Sequence, residues 1–263
     1  MGALLKVCAA ALALSLVSGS ALAEGALKLD DEATQRVRQL LTELEEGLHG
    51  ATKGDSGARN ALLTRAMMPR FFSDELNVFT SRANEDGQVT SVKLTGFEVK
   101  ATLWLGVLPV EKVSLFFWVG DDEIRLLKLD RDERHQMGFF GEPSAQIWSG
   151  DIALAFGAVA ETVLKTIAND QCDAVPLVRP SDVLRPKDDP RATRAIEAQR
   201  ERSQRDCAAL AGMPFNRLTW KLGSASGVVT TRKKTKLGFG LELLAGPERD
   251  IRVYRLTRPQ GPR

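Results

Sequence analysis

Histidine is almost missing from this chain: His49 and His135 are the only two in 263 residues. A zinc centre needs three or four ligands at defined spacing, and no H-x-x-x-H, H-E-x-x-H or C-x-x-C occurs. The same shortage counts against a serine or cysteine hydrolase, which requires a base beside its nucleophile, although His135 could still serve alone. No G-x-S-x-G marks a nucleophile elbow. Gly238-Phe239-Gly240 is a bare G-x-G with no third glycine and no helix opening after it, so no phosphate loop is expected. These absences leave no catalytic residue, metal ligand set or cofactor to nominate. Net charge is also lacking, at +2 overall, so no global field draws the chain to nucleic acid or membrane.

Long apolar runs are absent beyond the first residues, and those first residues carry the clearest signal. Lys6 precedes an apolar run over residues 7–17, and Ser18-Gly19-Ser20-Ala21-Leu22-Ala23 follows. A basic start, a short apolar core and an A-x-A site describe a secretory signal peptide over residues 1–23, cleaved before Glu24. Cys8 stands at the start of the apolar run rather than after it, which argues against a lipoprotein. The expected address is periplasmic or secreted, with no transmembrane helix left after cleavage.

Export changes the meaning of the cysteines. With Cys8 removed, Cys172 and Cys207 remain, and a lone pair in an oxidising compartment is expected to be a disulfide. It would close a proline-rich linker, residues 171–190, that contains Pro176, Pro180, Pro186 and Pro190. Closing a loop of about 35 residues stabilises a fold by about 3–4 kcal/mol in the chain-entropy model.

Hydrophobic periodicity supplies the fold. Ala33, Val37, Leu40, Leu41, Leu44 and Leu48 recur at three and four, predicting a helix over residues 30–49 that ends at Gly47, His49 and Gly50. A second helix is expected over 58–68, stopped by Pro69. From Leu76 the period falls to two. Phe97, Val99, Ala101, Leu103, Leu105 and Val107 form one face of a strand; Val92 and Leu94 share the opposite phase, and a bulge at Gly96 reconciles them. Leu108-Pro109 is expected to turn the chain into a strand over 113–119. Gly120-Asp121-Asp122 leads to another strand over 124–129, and Phe139 and Phe140 to a fourth. Residues 151–169 are an apolar helix, 191–210 a charged one, and further strands follow at 217–222, 228–231, 236–244 and 251–256. The expected class is α+β: antiparallel β-meanders packed with an N-terminal helical pair and a central apolar helix. Residues 24–170 form one half; 191–257 complete the fold, either as one sheet or as a second domain. Residues 258–263 are a disordered tail.

Two surfaces are candidates for binding. Arg232, Lys233, Lys234 and Lys236 crown a hairpin. They serve either to keep an edge strand from pairing with another chain or to meet an anionic partner. Trp104 and Trp118 fall on the outward phase of their strands, where either the helix over 151–169 covers them or they form an exposed binding surface. The acidic groups Asp121-Asp122-Glu123 and Asp130, Asp132, Glu133 flank one strand about 20 Å apart, too far for a shared glycosidase site.

The sequence therefore suggests an exported bacterial envelope protein that acts by binding, without catalysis, either an envelope protein or an anionic or amphiphilic ligand. The alternatives are a secreted hydrolase whose carboxylates converge only in the fold, and a structural subunit of an envelope assembly. Non-reducing mass spectrometry of the exported protein should find Cys172 joined to Cys207; free thiols at both would overturn the pairing.

Overall fold

The computed structural model describes residues 29, 31–120, 123–131, 151–169, 172, 190–245 and 250–261. The expected signal peptide, most of the proline-rich linker and the strand proposed at Phe139 and Phe140 lie outside these residues. The chain is α+β. Among the described residues its helices are α1 (Asp31–Thr52), α2 (Ser56–Arg65), α3 (Pro69–Asn84), α4 (Asp151–Ala168) and α5 (Pro190–Leu210). Its strands are β1 (Val89–Leu105), β2 (Leu108–Val119), β3 (Ile124–Arg131), β4 (Arg217–Thr231), β5 (Lys236–Ala245) and β6 (Ile251–Leu256).

The strands form one antiparallel sheet in the order β3-β2-β1-β4-β5-β6. Each half of the chain contributes a three-stranded meander, and β1 joins β4 where the two meet. Of the two arrangements expected, the single shared sheet is the one found.

Period-two patterning survives because irregularities correct its phase. Val92 and Leu94 are buried, then Phe97, Val99, Ala101 and Leu103. The register against β4 slips between Leu94 and Gly96, so the bulge expected at Gly96 is present. Only glycine fits there: a Cβ would stand 2.6 Å from the carbonyl oxygen of Phe117. The Leu94 N–H at this irregularity donates to Glu45 of α1 at 2.6 Å.

The helices lie on the buried face. Phe97 stacks on Phe117 and meets Phe156 of α4 edge-on, each at 4.9 Å between centroids. Phe79 of α3 meets Phe239 of β5 at 5.2 Å. Gly157 leaves room on α4 for the Trp220 indole. Both sheet edges are covered. The β3 N–H groups of Leu129 and Arg131 donate to Ser203 and Asp206 of α5. On the other edge the Met67 N–H donates to the Val253 carbonyl and Leu256 N–H to Glu75.

Several sequence expectations need correction. Helix α1 runs through Gly47, His49 and Gly50 to Thr52, with Gly47 packed close to Leu62 of α2. Pro69 does not end a helix; it occupies the first turn of α3, where its missing N–H costs nothing. A third helix thus follows the N-terminal helical pair and runs past Leu76, where the period was expected to fall to two. The β1–β2 turn falls at Gly106, whose φ is +63°, before Leu108-Pro109. The tail is not disordered at residues 258–261: Pro259 is buried and Gln260 exchanges two backbone hydrogen bonds with Gly238.

His49 lies in the last turn of α1, its Nδ1 buried without a hydrogen-bond partner. Burial, then the nearby Lys53 charge, hold its pKa below the usual histidine value. Replacing Gly96 with alanine should lower stability by about 1–3 kcal/mol through steric overpacking. Urea unfolding reads this directly, and a neutral result would remove the close approach from the account.

Candidate binding surface

The side chains of the sheet alternate, so burying one face sends the other set outward. On that outward face β1 presents Glu98, Lys100, Thr102 and Trp104, and β2 presents Lys112, Ser114, Phe116 and Trp118. A register shift near Phe116 places Lys128 and Asp130 of β3 on the same side as Arg125. Strand β4 adds Arg217, Thr219 and Lys221. All of these are half-buried or exposed, in contrast to the fully buried set behind them. Helix α4 was the cover weighed for Trp104 and Trp118 against an exposed binding surface. It packs instead on the opposite face, against Phe97 and Trp220.

Rings and cations are interleaved on this face. The Arg217 guanidinium stacks 4.7 Å from the Trp104 ring, and the Lys128 ammonium lies 4.9 Å from the Phe116 ring. Trp104 Nε1 donates to Thr219 Oγ1 at 2.8 Å. Trp118 lies farther along, beside Gly96 and Arg125, with Phe116, Ser114 and Lys112 between it and the Trp104 end. The two tryptophans therefore share a face but not a pocket.

Lys100, Lys112, Lys128, Lys221, Arg125 and Arg217 outweigh Glu98, Glu123 and Asp130 on this part of the sheet. Lys128 is paired with Asp130, and Arg125 with Glu123 at 2.5 Å. Lys100 sits directly opposite Lys221 across the β1–β4 ladder, an arrangement of like charges that costs stability. Glu98, largely covered and lying over Gly223, approaches Lys100 at 3.6 Å and offsets part of that repulsion.

The basic hairpin stands elsewhere. Arg232, Lys233, Lys234 and Lys236 are exposed at the β4–β5 turn, and the Arg232 N–H donates to the Gln88 carbonyl. The length of β1, on the order of 50 Å at about 3.3 Å per residue, separates this turn from Trp104. Strand β4 has neighbours on both sides, but β6 pairs β5 only over Leu241–Ala245 and one bridge joins Gly238 to Gln260, so Lys236 stands on a part of β5 paired with β4 alone. Lys234 has φ +60°, the only positive value at a non-glycine among the described residues.

A groove of about 470 Å³ lies between α1 and α2, lined by Glu43, Glu46, Asp55 and Arg65 among others. Glu43 is ion-paired with Arg65, and Asp55 caps α2 by accepting from Gly57 and Ala58. No group of three metal-binding side chains occurs among the described residues. His135, Asp132 and Glu133 lie outside them. Cys172 and Cys207 form a disulfide with Cα atoms 5.9 Å apart.

No protein-family model, curated protein or solved structure matches this chain.

Sequence reasoning missed the β1–β2 tip. Leu105, Val107 and Leu108 are 45%, 86% and 55% exposed, although alternation had assigned Leu105 and Val107 to the core. Their nearness to Gly106 and Pro109 was the available signal.

Lys234→Gly should raise stability by about 1 kcal/mol, because glycine adopts positive φ without the Cβ penalty. Thermal or urea unfolding checks it; a destabilised variant would mean Lys234 makes contacts that outweigh its backbone cost.

Proposed function

We propose that this is an exported envelope protein that acts by binding an anionic ligand on the outward face of its sheet, without catalysis. The observation that carries the reading is the run of cations and aromatic rings from Phe116 and Lys128 across Lys100 and Lys221 to Trp104 and Arg217. An anion between Lys100 and Lys221 would turn their mutual repulsion into paired attraction. The rings supply flat apolar surface beside the charges. The disulfide is consistent with an oxidising compartment, and no described helix is long and apolar enough to cross a membrane.

The signal peptide supports export, and an envelope ligand follows from that address. The hairpin at Arg232, Lys233, Lys234 and Lys236 is a second basic surface, but it lacks rings and stands at the other end of β1. The ligand is therefore assigned to the sheet face.

Inorganic polyphosphate is a suitable soluble probe. Titration calorimetry should give a dissociation constant at least about tenfold weaker for Lys100→Glu/Lys221→Glu than for wild type. Reversing charge at Arg232, Lys233, Lys234 and Lys236 should change it less than about threefold. The opposite ranking would move the contact to the hairpin, and no binding by the wild type would overturn the reading.

A further inference from the structure

We propose that the β1–β2 tip, residues 105–109, dips into the interfacial layer of an anionic phospholipid membrane, with Arg217, Lys112 and Lys221 holding headgroups beside it. This rests on the anion-binding reading of the outward face and names the ligand as a lipid surface.

Tight turns ordinarily carry polar residues, yet this one is Leu105-Gly106-Val107-Leu108-Pro109, with its three large apolar side chains turned into water. The tip is also held out. Positive φ at Gly106 lets the strands pair as far as Leu105 and Leu108. Asn216 then pins the turn twice: its N–H donates to the Trp104 carbonyl at 2.9 Å, and its Oδ1 accepts from the Gly106 N–H at 3.0 Å. Held this way, Val107 cannot fold back onto the core. Its exposure persists until another apolar medium receives it.

The charges around the tip select the medium. Glu111 is the only acid in residues 102–113 and 213–221; it is turned inward and paired with Arg131 at 2.5 Å. Lys112, Arg217 and Lys221 face outward on the same end of the sheet. Proceeding from the point of the turn, the surface is aliphatic, then indole, then cationic. A bilayer with anionic lipids presents hydrocarbon, interface and phosphate in the matching order. The turn is far too short to span the bilayer, so the contact is a shallow, reversible one.

The test is co-sedimentation of the full chain with vesicles of phosphatidylcholine alone and of phosphatidylcholine mixed with phosphatidylglycerol, alongside the polyphosphate titration. Wild type should sediment with the mixed vesicles and weakly with phosphatidylcholine alone. Val107→Asp, at an exposed position and checked for fold by circular dichroism, should bind the mixed vesicles at least about tenfold more weakly while its polyphosphate affinity is unchanged. Sedimentation of Val107→Asp equal to wild type would overturn the insertion, as would equal binding of both vesicle types. A wild type that ignores vesicles but self-associates through Val107 would show that the tip meets a second copy, which also overturns it. Polyphosphate binding without vesicle binding would sink this inference alone; loss of both would remove the anion-binding reading with it.

Discussion

Pairing of β1 with β4 is the contact on which the rest of the molecule depends. It joins two meanders from distant parts of the chain into one sheet, and it sets which side chains of both halves share a face. A one-residue slip anywhere along it would turn the core of one half into water. The ladder is not regular, and its irregularities are useful. At Leu94 and Gly96 the slip restores the apolar phase, while Glu45 takes up the Leu94 N–H. Near the β5–β6 slip, Glu75 does the same for Leu256. Carboxylates from α1 and α3 thus tie helices to the sheet where the ladder lets an N–H go, so that buried backbone groups remain paired.

One-sided packing follows. Aromatic contacts bring α3 and α4 onto the same side of the sheet, and α5 with the α2–α3 junction occupies the edges. Among the described residues nothing comparable lies on the other face, where lysines, arginines, threonines and rings alternate with the core. Such a face is ordinary when its charges are balanced and its rings are few. Here Lys100 opposes Lys221, Arg217 lies on Trp104, and an apolar turn projects from the same end. The opposed lysines and the exposed apolar turn, both of which cost stability, gather at one end of the sheet, which is where a ligand would repay them.

Much of this architecture was legible in the chain. Helical stripes in α1 and α4, the phase switch at Gly96 and the hairpin at Arg232 follow from local pattern, because each is a short-range consequence of side-chain period or turn chemistry, whereas the Cys172–Cys207 pair followed from the cysteine count. What was illegible depended on distant partners. Pro69 reads equally as a stop or as a first-turn residue until α3 is seen packing through Phe72, Leu76 and Phe79. Leu105 and Val107 continue an apolar alternation beyond the point where the core ends, and only Gly106 and Pro109 mark that end in the sequence. Which face α4 covers rests on Trp220 meeting Gly157, a contact between residues far apart in the chain. The basic hairpin was visible, but its distance from the Trp104 end depended on the β1–β4 register.

The central claim is that the outward face at the Trp104 end, and not the helical side, meets an anionic surface. Hydrogen–deuterium exchange of the full chain with and without phosphatidylglycerol vesicles tests it most directly. The account predicts slowed exchange in residues 102–113 and 214–221, with α1, α2 and α3 unchanged. Slowing confined to the helices or to residues 231–236, or no slowing anywhere, would contradict it.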